Sequence, residues 1–219
     1  KVGKTTIHLD ELNAGDSLLD FVGPLGRVSE YGDVKGKRVA VIGGGLGIAI
    51  AYPQAVALTQ LGAEVDMIVG FRNKDLVLLE DEINQHSTRQ IIMTDDGSNG
   101  NKGFVTAKLE ELIEAGNKYD LVVAIGPLVM MKAVCDLTKK YDIKTIVSMN
   151  PIMIDGTGMC GGCRVTVGGE TKFACVDGPD FDGHQVDFDQ AILRSRMFKT
   201  QEDRARKEHR CRLEGMNNA

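Results

Sequence analysis

The sequence predicts an α/β protein: a doubly wound parallel sheet followed by a small module rich in glycine and cysteine. Three observations carry this. Between residues 38 and 148 short apolar runs alternate with segments of helical length, the pattern of repeated β-α units. Glycine turns follow the successive apolar runs, at the strand ends where open α/β sheets bind ligands. Beyond Asn150-Pro151 the helical period stops and Gly, Asp and Cys take over.

The elements follow in order. Thr5 and Thr6 ahead of Ile7, Leu9 and Leu12, with Asn13 and Gly15 behind them, predict an N-capped helical turn closed by glycine. Ser17 to Val22 reads as a short strand, and Gly23-Pro24-Leu25-Gly26 as a tight turn. Arg38 to Ile42 is a buried strand that runs into Gly43-Gly44-Gly45-Leu46-Gly47, and Ile48 to Leu61 is the helix after it, with Pro53 in its first turns. Strands are expected at Glu64 to Val69, Arg89 to Thr94, Leu121 to Ile125 and Lys144 to Ser148. Helices fall between them at Leu76 to Asn84, Phe104 to Ala115 and Met130 to Tyr141. A strand pair, Arg164 to Val167 with Thr171 to Ala174, belongs to the cysteine-rich module, and a charged helical tail runs from Ala191.

Composition narrows the function. The 219 residues are 42% hydrophobic and carry a net charge of -5, enough to bury a core in one large domain and a small one. The only basic cluster lies near the C-terminus, so no nucleic-acid partner is expected. No apolar run approaches the ~20 residues that cross a bilayer, and no basic and then apolar leader opens the chain. Neither a membrane nor export is expected. Five cysteines at uneven spacing do not make a disulfide framework, which points to a reducing cytoplasm. The chain opens on Lys1 rather than Met, and a missing front segment is expected.

The strongest chemistry lies in Asp155-Gly156-Thr157-Gly158-Met159-Cys160-Gly161-Gly162-Cys163, with Cys175 behind the strand pair. Thiolates suit iron, and glycines between two cysteines let backbone amides approach the sulfur atoms of a cluster. Asp155 stands five residues ahead of Cys160, so Asp155, Cys160, Cys163 and Cys175 form a candidate ligand set. Three thiolates and a carboxylate would equally satisfy a structural zinc ion. Asp155 could also simply cap the turn after it, as Asp-Gly pairs do. Cys135 fits the core side of a helix, and Cys211 is a free thiol in the tail.

The glycine loop Gly43, Gly44, Gly45 and Gly47 follows a strand and opens a helix, so its amides and the helix start face an anion site. Ile48 occupies the third glycine position of G-x-G-x-x-G, so the loop departs from the strict dinucleotide pattern and could be only a tight turn. Arg72, after the second strand, is a candidate ribose or phosphate contact or an ordinary surface arginine. Asp96 and Gly97 in a polar connection, and Gly126-Pro127 after the fourth strand, complete the candidate nucleotide lining.

Together these marks resemble the ferredoxin reductase-like electron-transfer flavoproteins, in the group that includes the electron-transfer subunit of bacterial dihydroorotate dehydrogenase. The quoted segments are Gly23-Pro24-Leu25-Gly26, Gly43 to Gly47, Asp96-Gly97-Ser98, Gly126-Pro127 with Met130-Met131, and Cys160-Gly161-Gly162-Cys163 with Cys175. The resemblance implies a flavin barrel, a nicotinamide domain and a 2Fe-2S cluster in that order, with electrons passing between NAD(H), FAD and the cluster. It implies that Gly3, Thr5, Thr6, Gly23 and Gly26 belong to the flavin site. An aspartate replaces the first of four cysteines, and Asn150 to Gly156 is similar to the small subunits of NADH-dependent reduced ferredoxin:NADP oxidoreductases and sulfide dehydrogenases. That likeness implies a larger flavin and iron-sulfur oxidoreductase subunit as partner, pyridine nucleotide as substrate, ferredoxin as a further partner, and electron bifurcation. The alternatives are the dihydroorotate role and a non-catalytic nucleotide-binding protein with structural zinc. The expected organisation is a barrel remnant at 1–35, the nicotinamide domain at 36–149, the cluster module at 150–190 and the tail at 191–219.

Overall fold

A computed structural model describes residues 4–205. They divide between two units: one spans Gly26–Ile192, and the other takes the residues up to Leu25 and from Leu193 onward.

Within the larger unit, five parallel strands are set by apolar runs that alternate faces. They are β1 (Arg38–Gly44), β2 (Glu64–Phe71), β3 (Arg89–Thr94), β4 (Leu121–Ile125) and β5 (Thr145–Ser148). The order across the sheet is β3-β2-β1-β4-β5, closed at the far edge by antiparallel β8 (Asp180–Asp182). Period-two alternation divides β1 cleanly: Ala40 and Ile42 enter one core, and Val39 and Val41 the other. Helices α2 (Ile48–Gln60) and α3 (Glu80–Gln85) cover the second face, and α4 (Val105–Glu114) and α5 (Leu128–Lys140) the first. The strand order reverses between β1 and β4, which places a crevice at their carboxyl ends.

The module beyond β5 holds the hairpin β6 (Arg164–Val167) and β7 (Glu170–Phe173). Gly168 and Gly169 join its strands with φ of 59° and 80°, the left-handed pair that a two-residue hairpin turn needs. Helix α6 (Phe188–Ser195) follows β8, and a further helical stretch covers 199–205.

Several expectations are corrected. Helix α1 (Lys4–Leu9) already contains Thr5 and Thr6, so neither threonine caps it from outside. Residues 17–22 are irregular: an apolar run becomes a strand only beside a pairing partner, and no described segment pairs with it. The helix expected from Leu76 is shortened to α3, because Leu79 stands at φ 58° and breaks the helical path. Strand β8 was not expected at all, since Asp-Phe-Asp carries one apolar residue and is defined by pairing with β5.

Candidate functional site

Two candidate sites lie in the larger unit. The first is the crevice between β1 and β4. Gly44 is packed so closely that a Cβ there would lie 2.5 Å from Met130 Sδ and 2.8 Å from Pro127 Cδ. At Gly47 a Cβ would lie 2.5 Å from the Ile125 carbonyl oxygen, and at Gly43 2.7 Å from Ile48 Cγ1. Gly126 closes against Gly44, where a Cβ would stand 3.0 Å from its backbone nitrogen. These four glycines, with Pro127, therefore hold β1, the loop and β4 together. Gly45 differs: its φ is +53° and nothing lies within 4 Å of a Cβ built there. The open space of the loop is at Gly45. A 3-10 turn, Gly45–Gly47, leads into α2, and no side chain caps either amino end; the Gly45 carbonyl already accepts the Ile48 N–H, so the amino end that faces the crevice is that of this turn. An anionic diphosphate fits such a helix start.

The exits of β2 and β3 form the crevice's other flank. Asp95 and Asp96 donate N–H bonds to the Phe71 and Arg72 carbonyls at 3.0 and 3.3 Å, and Lys74 N–H donates to Ser98 Oγ at 2.8 Å. Asp96 Oδ1 accepts the Ser98 N–H at 2.9 Å, and hydrogen bonding from Ser98 holds its carboxyl below the usual range. Gly97, at φ +78°, rests against the Lys102 side chain. Arg72 is exposed. Arg72, Asp96 and Gly97 thus meet in one loop pair, while Gly126 and Pro127 lie across the switch point.

The second site is the cysteine module. Cys163 directly precedes β6 and Cys175 follows β7 by two residues, so the pairing of Arg164 with Phe173 sets the two cysteines side by side. Cys175 N–H donates to Cys163 Sγ at 3.4 Å, and both residues are buried, 4% and 2% exposed. Contact with the Cys163 thiol, joined by burial, pushes the Cys175 thiol above its usual range. Across the loop, Asp155 Oδ2 accepts Cys160 N–H at 2.7 Å and Oδ1 accepts Thr157 N–H at 2.8 Å. The Thr157 bond, with that from Cys160, holds the Asp155 carboxyl below its usual range. Gly162 N–H donates to Cys160 Sγ at 3.3 Å.

Asp155 is thus tied to the backbone of Cys160, and the Cys175 backbone to the Cys163 thiol. Among the described residues no group of three or more His, Cys, Asp or Glu converges as a single-ion site. A donor set of three thiols and a carboxylate fits a two-iron cluster, in which each iron takes two protein ligands, and by residue type alone fits a tetrahedral zinc ion as well. The N–H groups that already meet the sulfur atoms are those a cluster uses to tune its potential. Cys135 is a core residue, 4% exposed, and burial pushes its thiol up to about 12; Cys211 lies outside the described residues.

The residues assigned to a flavin divide between the two units. Gly3 lies outside the described residues. Thr5 and Thr6 are in the first turn of α1, and Gly23 precedes a cis peptide to Pro24. Gly26, at φ +80°, belongs to the larger unit, where it packs against the Gly178 carbonyl; Arg27 N–H donates to that oxygen at 2.7 Å. No described helix is long and apolar enough to cross a membrane.

Sequence reasoning missed a buried polar cluster at the opposite end of the sheet. Asp66 is fully buried in β2; Arg89 Nη2 and the Tyr119 hydroxyl, the latter at 2.7 Å, donate to its Oδ2, and Arg38 Nε lies 3.3 Å away. The available signal was a lone acid inside an apolar run.

Comparison with known proteins matches the two regions in which these residues lie. Residues 41–136 match the oxidoreductase NAD-binding domain, and residues 150–187 the iron-sulfur cluster binding domain of dihydroorotate dehydrogenase B. A Thermotoga maritima homologue of the dihydroorotate dehydrogenase B (NAD(+)) electron transfer subunit is 46% identical, over 92% of this chain and 70% of its own length. The corresponding Clostridium perfringens electron transfer subunit is 34% identical over 85% and 73%. A solved NADH-dependent reduced ferredoxin-NADP oxidoreductase, described for flavin-based electron bifurcation, superposes with a TM-score of 0.86 at 42% identity, over 95% of this chain and 74% of that one. This chain is thus an oxidoreductase component with an NAD-binding domain of ferredoxin reductase-like fold and an iron-sulfur domain, and it belongs to the family of dihydroorotate dehydrogenase B electron transfer subunits and their homologues.

Proposed function

We propose that this chain is the electron-transfer subunit of an NADH-dependent reduced ferredoxin:NADP oxidoreductase type of complex, exchanging electrons between NAD(H), FAD and a 2Fe-2S cluster and delivering them to a larger partner subunit. The observation that carries the reading is the likeness to the bifurcating oxidoreductase, which extends across 95% of this chain and so includes both sites. The replacement of a first cysteine by Asp155 supports it.

In this reading, the amino end of the turn before α2 and the open loop at Gly45 receive the nucleotide diphosphate, and the β2 and β3 exits receive the adenosine. Asp155 and Cys160 hold one iron; Cys163 and Cys175 hold the other. Flavin chemistry supplies the conversion between two-electron hydride transfer and one-electron steps. No side chain is required as acid or base, and the protein's share is position and electrostatics. Around Cys160 an apolar collar of Ile152, Met153, Ile154, Met159 and Val176 is exposed, with Ile154 at 75% and Met159 at 88%. Such a patch suits a partner surface, and covering it would exclude water from the cluster edge.

The second reading, electron transfer to dihydroorotate dehydrogenase, is favoured by the names of the relatives at 46% and 34% identity. Purification of the tagged chain from its host with its native partner tests both. A partner that reduces NADP with NADH and reduced ferredoxin supports the first reading. A partner that oxidises dihydroorotate overturns it in favour of the second. Absence of a visible absorption band and of a paramagnetic signal on reduction would overturn both.

A further inference from the structure

We infer that Cys163 and Cys175 are an oxidisable pair: in the metal-free chain they close a disulfide at the expense of a small-molecule disulfide, and the exposed Cys160 is the thiol through which that oxidant reaches them. The inference does not rest on the electron-transfer reading, since any metal held by these residues would compete with the same bond.

The hairpin and the core bring the pair together. Strands β6 and β7 pair from Arg164 with Phe173 to Val167 with Glu170, and beyond that pairing the Ala174 N–H donates to the Cys163 carbonyl at 3.1 Å. The next residue, Cys175, turns its N–H to Cys163 Sγ at 3.4 Å. Hydrogen bonding with the Cys163 thiol is also the first cause of the raised Cys175 thiol, so the two side chains face one another. Both belong to the core that holds Val147 and Phe181. A disulfide sets its sulfurs about 2 Å apart, and two thiols already in contact on a fixed hairpin need only a small further approach.

Thiols that are 2% and 4% exposed are poorly reached by an outside reagent. Cys160 supplies the route. It is exposed, and Gly161, at φ +64°, turns the chain back so that the Gly162 N–H donates to Cys160 Sγ at 3.3 Å. A Cβ at Gly162 would lie 3.4 Å from that sulfur, which therefore rests on the residue directly before Cys163. The exchange runs in three steps. Cys160, as thiolate, attacks the oxidant and releases one thiol. Cys163 attacks the Cys160 sulfur and releases the second. Cys175 then attacks Cys163 and returns Cys160 to the thiol. In sum, two thiols of the chain lose two electrons and two protons, and one disulfide gains them as two thiols. The raised Cys175 thiol is a slow nucleophile, but contact with its target offsets this. The bond ends between Cys163 and Cys175 because the core fixes both, whereas Cys160 lies on the exposed loop. Two of the four candidate ligands are thereby withdrawn, and metal loading awaits their reduction.

The test is to strip the full chain of metal with a chelator, reduce it, and incubate it with oxidised glutathione. Trypsin cuts after Arg164 and Lys172 and so separates Cys175 from the peptide that carries Cys160 and Cys163. After free thiols are alkylated, mass spectrometry should find these two peptides joined. Joining should persist in Cys160→Ser but form about tenfold more slowly. The joined chain should take up no ferrous iron and sulfide until dithiothreitol is added. A disulfide confined to the Cys160 peptide, no disulfide at all, or equal rates of joining in wild type and Cys160→Ser overturns the inference. So does joining that is lost in Cys160→Ser and kept in Cys163→Ser. A reduced chain that also refuses iron and sulfide overturns the electron-transfer reading instead, and the peptide map still decides this one.

Discussion

Replacing Asp66 by Asn should destabilise the larger unit without touching either candidate site. The carboxylate lies at the amino ends of the strands, opposite the crevice, and joins β1, β2 and β3 through Arg38 and Arg89 and the β4 approach through Tyr119. Arg38 also lies over the Tyr119 ring at 5.9 Å. Removing one partner from a fully buried ion pair costs about 3–5 kcal/mol. Here the acid is fully buried but Arg38 and Arg89 remain 30% and 33% exposed, so water can take over part of their solvation. The expected loss is about 2–3 kcal/mol, or a fall in Tm of roughly 4–12 °C for a unit of this size. The pH dependence supplies a second signature. Burial pushes the Asp66 carboxyl up, but the hydrogen bonds from Arg89 and Tyr119 and the two positive charges outweigh it, and the net shift is downward. A depressed folded value means that the stabilisation is complete above the unfolded value near 3.9 and is lost as pH falls through the folded one. The gap between wild type and Asp66→Asn should therefore stay constant from pH 7 to about 5 and close below about 4. Thermal melts of both proteins across that range are the assay. Equal melting temperatures at pH 7, or a gap that widens in acid, would refute the reasoning.

The remaining predictions concern the two sites. Gly47→Ala would push a methyl group into the Ile125 carbonyl, 2.5 Å from its Cβ; displacing the loop on the order of 1 Å should weaken NADH binding tenfold or more by titration calorimetry, while iron content stays unchanged. Asp155→Cys should keep the cluster but lower its reduction potential, because sulfur donates more electron density to ferric iron than a carboxylate oxygen does; equal midpoints in potentiometric titration would leave Asp155 as a turn cap. Ile154→Ser combined with Met159→Ser should weaken association with the native partner about tenfold in a pull-down titration, with the visible spectrum of the isolated chain unaltered.

Much of this fold was legible because the sheet is buried on both sides. Arg89–Thr94 and Leu121–Ile125 are strands with the bounds their sequence implies, since the first has an apolar centre that ends at Asp95-Asp96 and the second is an apolar run between Asp120 and the Gly126-Pro127 turn. What escaped was whatever depends on a partner distant in sequence. Ser17 to Val22 carries strand-like residues without a described neighbour to pair with, whereas Asp180–Asp182 carries almost no strand signal and pairs because β5 has an open edge. Phe104 was expected inside its helix and instead caps it with extended backbone at ψ 150°, which is what turns its ring outward. At the sites, residue types were readable but their reasons were not. Gly43, Gly44, Gly47 and Gly126 are glycines because protein atoms crowd them, and only Gly45 opens onto space a ligand could fill. Asp155 was recognisable as a candidate ligand, but its bonds to the Thr157 and Cys160 amides follow from a loop path that spacing does not encode. Those two amides leave lone pairs on each carboxylate oxygen, so capping the turn and holding a metal are compatible roles for the same side chain.

The late strand β8 also explains how two sites of different chemistry can share one geometry. Packing continues across residue 150: Cys163, Cys175 and Phe181 lie in the same core as Met131, Val147 and Met149. Met149 N–H donates to the Pro179 carbonyl at 2.8 Å, immediately after β5 and before β8. At Gly183, just past β8, a Cβ would lie 2.5 Å from Cys135 Sγ and 2.9 Å from Val147 Cγ1, so the turn is pressed onto α5 and β5 as tightly as a glycine allows. The cysteine hairpin is therefore held by the same strands whose carboxyl ends form the crevice. Interiors packed this densely resist small displacements, which keeps the cysteine sulfurs at a set distance from the β4 and β5 exits. Cys160 and Asp155, by contrast, lie on the exposed loop outside that core. The buried pair is thus fixed by the sheet, and the exposed pair is left on the surface where a partner subunit can reach it.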